Sequence, residues 1–307
     1  MLNKKRVVIT GGAGFIGRNF IEGLKSQGIY EIISLDLFDL KDGEVTSVVG
    51  RYGDKDLLRK TLQKGDIVYH LACSTVPAVS EKDVFKDLNE NIIDTINLLD
   101  ICLESEIELF VFASSGGTVY GEVAEIPIRE ESEANPINFH GIMKLMIEKY
   151  VKLYGLRHNF NYIIMRPSNL FGRIPEASRI QGAVDIFIKK ALANELIEIW
   201  GNGEVIRDYI YIDDMVDLMI KIIDSDIKNT TINIGSGTGH SLNTIIKKIK
   251  EKLELEIEVK YMPARGFDIA CNILDIAKAQ NLYNWHPKVN LEMGIEKTIE
   301  KIKNSKI

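Results

Sequence analysis

The sequence predicts an α/β protein, a doubly wound parallel sheet covered by helices with a smaller α/β region toward the C-terminus. Three observations carry this. Short β-branched runs alternate with helical stretches through the first half, the pattern of a parallel sheet with both faces covered. A glycine-rich turn separates the first run from the first helix. After Pro167 the segments shorten and turn signals crowd in at Gly201-Asn202-Gly203, Gly235-Ser236-Gly237 and Gly239.

Val7-Val8-Ile9-Thr10 reads as a buried strand, and Gly11-Gly12-Ala13-Gly14 breaks it. Phe15 to Gln27 then carries Phe15, Ile16, Phe20, Ile21 and Leu24 at helical spacing. Ile32-Ile33-Ser34-Leu35 is a second strand, ending at Asp36. Asp66 to Leu71 and Leu109 to Ala113 are two more, with a helix from Asn91 to Leu103 before the latter. Asn161 to Met165 is a further buried strand. Residues 1–167 are therefore expected to form the sheet domain, and residues 168–307 mainly the smaller region, with some segments returning to the sheet.

Composition narrows the function. Lysine and arginine number 38 against 44 acidic residues, a net charge of −6 with no long basic run, which argues against a nucleic-acid or anionic-membrane surface. Cys73, Cys102 and Cys271 have neither metal-ligand spacing nor disulfide density, so no metal is expected. The N-terminus runs straight into a strand and no apolar run approaches a membrane span. A cytoplasmic location is expected.

Gly11-x-x-Gly14-x-x-Gly17 lies between a predicted strand and a predicted helix. The first glycine allows a tight turn, the second lets backbone approach a pyrophosphate, and the third lets helix and strand pack closely. The helix N-terminus then offers N–H groups and a positive dipole end to the phosphates. Asp36 follows about 20 residues on, where a carboxylate accepts from the adenosine ribose hydroxyls and repels a 2′-phosphate. This is the pattern of a Rossmann dinucleotide site, with NAD favoured over NADP.

Further motifs lie in order along the chain. They are Gly11-Gly12-Ala13-Gly14-Phe15-Ile16-Gly17, His70-Leu71-Ala72, and Ser114-Ser115-Gly116-Gly117-Thr118-Val119-Tyr120-Gly121. Then come Arg166-Pro167-Ser168-Asn169-Leu170-Phe171-Gly172 and the stretch from Gly201-Asn202-Gly203 through Arg207 to Asp214. Through these motifs the chain resembles the extended short-chain dehydrogenase/reductases, specifically the NAD-dependent nucleotide-sugar epimerases and dehydratases, over nearly its whole length. The resemblance implies that Gly11, Gly14, Phe15, Ile16 and Gly17 line the cofactor phosphates, and that Asp54 meets the adenine. It also implies that Leu71 and Ala72 line the dinucleotide near its ribose, that Asn91 is a cofactor residue, and that Lys144 holds the nicotinamide ribose. Asn169 and Arg207 would hold a substrate diphosphate, and Arg265 and Asp268 would grip the nucleotide. Trp200, just before Gly201, reads equally as an aromatic near the nucleotide base or as a core aromatic. Two arginines from separate segments suit a diphosphate, since each donates in a fork. A homodimer is implied through the helix beginning at Asn91 and the one after His140.

Two departures fall at the chemistry. The family's catalytic motif is Tyr-x-x-x-Lys on a helix, and here Lys144 is preceded four residues earlier by His140. The spacing puts both on one helix face. In the Ser-Ser-Gly-Gly-Thr run, Gly116 stands where many relatives carry a catalytic hydroxyl, which leaves Thr118 and Ser115 as candidates. A neutral imidazole is a competent base near pH 7, and the positive charge of Lys144 favours that neutral form. His140 is therefore read as the acid/base group, against the alternative that catalysis has moved or been lost.

The motifs look most like those of 4-epimerases acting on UDP-hexoses through a 4-keto intermediate. The 4,6-dehydratase signature places Asp-Glu at the slots of Gly117 and Thr118, which argues against that reaction. A nucleotide-sugar dehydratase of another kind, a 4-dehydrogenase or reductase, and a catalytically silent NAD and nucleotide-sugar-binding protein remain as alternatives. Asp213-Asp214 is read as helix capping rather than as a metal pair.

Overall fold

The computed structural model describes residues 4–75, 83–173, 182–264 and 269–304. In chain order its elements are β1 (Lys5–Thr10), α1 (Phe15–Gln27), β2 (Tyr30–Asp36), β3 (Thr46–Val49), α2 (Lys55–Thr61) and β4 (Ile67–His70). Next come α3 (Val84–Asp87), a π-helical turn (Leu88–Ile93), α4 (Asp94–Glu104), β5 (Leu109–Ala113), α5 (Phe139–His158), β6 (Tyr162–Pro167) and β7 (Asn169–Phe171). The chain continues with α6 (Ala183–Leu192), β8 (Ile197–Trp200), β9 (Ile206–Tyr211), α7 (Ile212–Ile223), β10 (Thr230–Ile234) and β11 (Gly239–Ser241). It closes with α8 (Leu242–Leu253), β12 (Val259–Met262), β13 (Cys271–Asn272), α9 (Ala277–Tyr283) and α10 (Leu291–Asn304).

The chain divides into two compact units. The first comprises residues 1–121, 133–166 and 216–232, and the second residues 122–132, 167–215 and 233–307. The chain thus leaves the first unit at Pro167 and returns to it with residues 216–232.

The main sheet has seven strands in the order β10-β6-β5-β4-β1-β2-β3. Its pairings from β3 through β6 are all parallel. The order reverses between β1 and β4, and the loops after these two strands sit at a topological switch point, where such sheets bind ligands. The strands β4 and β5 are buried along their whole length, as expected when helices cover both faces. On α1 the buried residues Phe20, Ile21 and Leu24 form one stripe, each contributing roughly 1.5–3 kcal/mol by leaving water. The helix ends at Gly28, whose left-handed backbone (φ 68°) donates its N–H to the carbonyl of Lys25.

Residues 216–232 bring Met219 to the first unit's core, where its carbonyl accepts from the buried Tyr69 hydroxyl at 2.6 Å. In the second unit β9 is central, pairing parallel with β7 and β13 and antiparallel with β11.

One expected helix differs. The stretch from Asn91 does not begin as an α-helix, because Asn91 lies inside the π-helical turn and α4 begins at Asp94. The wider turn carries Asn91 inward, where it is 2% exposed and hydrogen-bonded to several groups described below. The expected capping role of Asp214 is also corrected. Its two carboxylate oxygens accept from the backbone N–H groups of Lys288 and Val289. It therefore fastens the segment before α10 and does not cap its own helix.

Candidate active site

The glycine cradle is packed too tightly for side chains. Gly11 has a φ of +78°, and a Cβ there would lie 2.7 Å from the amide nitrogen of Ala72, in the loop after β4. A Cβ at Gly17 would lie 2.3 Å from the carbonyl oxygen of Gly11, so this glycine lets α1 start directly against the turn. Gly14 is the N-cap of α1, no side chain caps the helix, and its first turn holds no acidic residue. Neither a capping side chain nor a first-turn carboxylate competes for an anion at that end. Phe15 and Ile16 are the first helical residues.

Asp36 ends β2 beside this turn. One of its oxygens accepts from the N–H of Ala13 at 3.0 Å and the other from the N–H of Phe38 at 3.2 Å. It orders the cradle and keeps acceptor capacity for hydroxyl groups, since each carboxylate oxygen has two lone pairs. Leu71 and Ala72 follow β4 and are tied to Thr10 of β1, Leu71 through the Thr10 carbonyl and Ala72 through its hydroxyl. These residues fit a dinucleotide: a cradle any Cβ would fill, an uncapped helix end, and a carboxylate beside them.

Asp54 caps α2, one oxygen accepting from the N–H groups of Asp56 and Leu57. Asn91, expected among the cofactor residues, has its side chain committed elsewhere. Its oxygen accepts from the N–H of Ser74 at 2.9 Å, and its amino group donates to Thr75 and to Asp87, each at 3.0 Å. It holds the segment after β4, and any service to the cofactor passes through that segment.

Lys144 is 6% exposed, and its ammonium donates to the carbonyl of Ala113 at the end of β5, 2.8 Å away. It also lies 5.0 Å from the centroid of the Phe112 ring. One turn earlier on α5 stands His140, half-buried, with Nδ1 enclosed and without a hydrogen-bond partner. Burial, reinforced by the charge of Lys144 and opposed by that of Asp87, pulls its imidazole down to about 4. The ring is neutral at pH 7.

The start of α5 approaches the serine-rich loop closely. A Cβ at Gly141 would lie 2.4 Å from the carbonyl oxygen of Thr118, so glycine beside His140 permits the contact. The Thr118 hydroxyl is buried without a partner among the described residues. Ser115 is half-buried, and its carbonyl accepts from the N–H groups of Thr118 and Val119. Ser114 is unavailable for chemistry, because its hydroxyl donates to Glu148. Glu148 in turn forms a two-point pair with Arg166, at 2.9 and 2.6 Å, and Arg166 also donates to the Tyr120 hydroxyl at 2.9 Å. This buried platform under the loop escaped the sequence reading. The signal for it was a glutamate among the apolar positions of α5.

The second unit carries the expected substrate residues. Asn169 on β7 donates to the carbonyl of Asp208 at 2.9 Å. Arg207 on β9 is half-buried and lies in register with His240 on β11 and Asn272 on β13. Between Asn169 and Arg207 the organising group is Asp208, fully buried, which accepts from Ser168, from the N–H and hydroxyl of Ser236, and from Gly237 and Leu274. Trp200 ends β8 and is 42% exposed. Arg265 and Asp268 lie outside the described residues. Among the described residues no group of three His, Cys, Asp or Glu is placed to hold a metal ion, and no helix is long and apolar enough to cross a membrane.

The model of the NAD dependent epimerase/dehydratase family matches residues 7–235, from β1 through β10. The chain belongs to that family. The expected resemblance, fold and cofactor class therefore stand, and the chain is that of an NAD-dependent enzyme family. Among its relatives, the dTDP-4-dehydro-6-deoxyglucose reductase of Escherichia coli is 32% identical, covering 98% of each chain. The UDP-glucose 4-epimerase of Mycolicibacterium smegmatis is 28% identical over 97% of this chain and 99% of its own. A crystal structure of UDP-glucose 4-epimerase from Thermotoga maritima with UDP-glucose superposes with a TM-score of 0.91, at 31% identity, over 98% of this chain and 100% of the other. Among these relatives are both a reductase and 4-epimerases, at 28–32% identity to this chain.

Proposed function

We propose that this chain is an NAD-dependent 4-epimerase of a UDP-hexose in which His140 takes the acid/base role. The observation that carries the proposal is the pairing on α5: a neutral imidazole one turn from a buried ammonium, packed against the loop that carries Thr118. NAD, when bound, supplies a reversible hydride acceptor. The chain supplies the rest. Gly11, Gly14, Phe15, Ile16 and Gly17 hold the phosphates, and Asp36 holds the adenosine ribose. Asp54, Leu71 and Ala72 border the dinucleotide, and Lys144 reaches the nicotinamide ribose.

His140 takes the proton of the C4 hydroxyl as that carbon is oxidised, and returns it when the carbon is reduced on its other face. Thr118, whose hydroxyl has no competing bond among the described residues, donates to the same oxygen; Ser115 is the second candidate. Arg207 and Asn169 hold the diphosphate while the sugar turns, with Trp200, Arg265 and Asp268 at the nucleotide. A base held at about 4 is uncharged at neutral pH but far from the pKa that best serves proton transfer there. Its environment must therefore favour the imidazolium during turnover.

One observation favours a second reading. The Escherichia coli relative is named as a reductase of a 4-keto sugar. Purified protein is incubated with UDP-glucose, UDP-galactose and their N-acetyl forms, and separately with NADH and a nucleotide-linked 4-keto sugar, followed by chromatography and by absorbance of reduced cofactor. Epimer formation without net cofactor change supports the epimerase. Stoichiometric oxidation of NADH with a 4-keto sugar supports the reductase. Binding without product from any sugar supports a silent protein. A homodimer is also proposed, supported by exposed apolar residues along α5, namely Ile142, Met146, Leu153 and Leu156.

A further inference from the structure

Asp87 is the last residue of α3 and is 2% exposed. One carboxylate oxygen is occupied, accepting from the Thr75 hydroxyl and from the amide of Asn91. The other oxygen is buried and has no hydrogen-bond partner among the described residues. A buried carboxylate oxygen left unpaired is costly, and native structures rarely keep one without a use. The helix α3 packs against α5, and on α5 lies His140 with its own enclosed, unpartnered Nδ1. One orphan is an obligate acceptor. The other can be a donor if its tautomer is chosen. The charged groups that act on the His140 ring are Lys144 from its own helix and Asp87 from α3.

We propose that Asp87 is the positioning residue of His140: its free oxygen accepts the Nδ1–H of the imidazole, fixing the tautomer that leaves Nε2 as the base. When Nε2 takes the hydroxyl proton, the ring becomes an imidazolium beside Lys144, and the carboxylate offsets that second positive charge. No net proton is consumed, because Nε2 returns the proton to the sugar oxygen on the reverse transfer. The inference rests on the reading of His140 as the base. It also gives Asn91 and Thr75 a purpose, since both hold the opposite oxygen of Asp87 and so aim the carboxylate.

The test is Asp87→Asn in the NAD-loaded protein, with histidine labelled at both ring nitrogens and titrated by NMR. His140→Ala identifies the resonance. Asparagine keeps the oxygen that Thr75 and Asn91 use, and replaces only the free acceptor. In the wild type the neutral ring is expected to carry its proton on Nδ1. In Asp87→Asn that preference is expected to vanish, the ring pKa to fall by a unit or more because a negative neighbour is gone, and kcat to fall tenfold or more with KM and bound NAD unchanged. A wild-type ring protonated on Nε2, or an Asp87→Asn protein with unchanged tautomer and pKa, overturns the proposal. The wild-type tautomer alone decides the case if the variant does not fold. Wild-type turnover by His140→Ala overturns the base reading instead, which separates the two failures.

Discussion

Lys144 donates to the carbonyl of Ala113 at 2.8 Å, tying the second turn of α5 to the last residue of β5. The bond fixes the ammonium at the carboxyl end of the sheet and the first turn of α5, with His140, above it. Lys144→Met removes a buried charge together with its donor, so the accepting carbonyl loses its partner. We expect weaker NAD binding and a fall in turnover of about 100-fold or more. Equilibrium dialysis of NAD and steady-state kinetics check both. Wild-type affinity and rate in this variant would remove Lys144 from the site.

Gly11 is restricted twice over, by its backbone conformation and by a neighbouring loop. Alanine there meets both the left-handed backbone, at φ +78°, and the amide of Ala72 at 2.7 Å. The conformation alone costs roughly 1–2 kcal/mol, and the contact forces the loops after β1 and β4 apart. Gly11→Ala is expected to abolish NAD retention and lower Tm. Purification with bound NAD at the wild-type level contradicts this.

Asp36 is expected to set the cofactor. A hydrogen bond to a charged group contributes about 1.5–3 kcal/mol, so Asp36→Ser should weaken NAD binding by roughly 10- to 100-fold. The same change removes repulsion of a 2′-phosphate and should raise NADP affinity relative to NAD. An unchanged ratio of the two dissociation constants, by calorimetry, contradicts the assignment.

Much of this site was readable in the sequence because its parts are local. The cradle is a strand, a turn and a helix in succession, and three glycine positions specify it. His140 and Lys144 are one helical turn apart. What was not readable depends on distant partners. Nothing in the sequence marks the Ser114 hydroxyl as engaged, yet it donates to Glu148, which Arg166 holds from β6. Asn91 and Asp87 are four residues apart, yet their shared partner Thr75 lies in another segment, and the π-helical turn between them breaks the expected register. Asp214 resembled a cap because its sequence neighbours start a helix, while its partners come more than seventy residues later. Asp208 gave no signal beyond its place in a strand.

The platform of Glu148 and Arg166 predicts a stability effect without a change of chemistry. Both are buried, with side chains 0% and 4% exposed. Removing one partner of such a pair leaves a buried charge uncompensated, at a cost of about 3–5 kcal/mol. Glu148→Ala should lower the unfolding free energy by that amount in urea, and a loss below 1 kcal/mol contradicts the account.

Two histidines predict acid sensitivity. Burial holds His70 at about 3 and His140 at about 4, against an ordinary value near 6.5. The unfolded chain binds these protons first, so stability is full above about pH 6.5 and is lost as pH falls below it. Each histidine contributes up to about 1.4 kcal/mol per pH unit in that window. His140→Ala should flatten the fall of Tm between pH 7 and pH 5. An equally steep fall contradicts a neutral His140 held below its ordinary pKa.

The most direct test of the whole account is turnover by His140→Ala against the wild type, with UDP-glucose and UDP-galactose as substrates and bound NAD verified in both proteins. The account predicts epimerisation by the wild type and a loss of roughly 100- to 10,000-fold in the variant, with NAD content unchanged. Epimerisation by His140→Ala at the wild-type rate would contradict it.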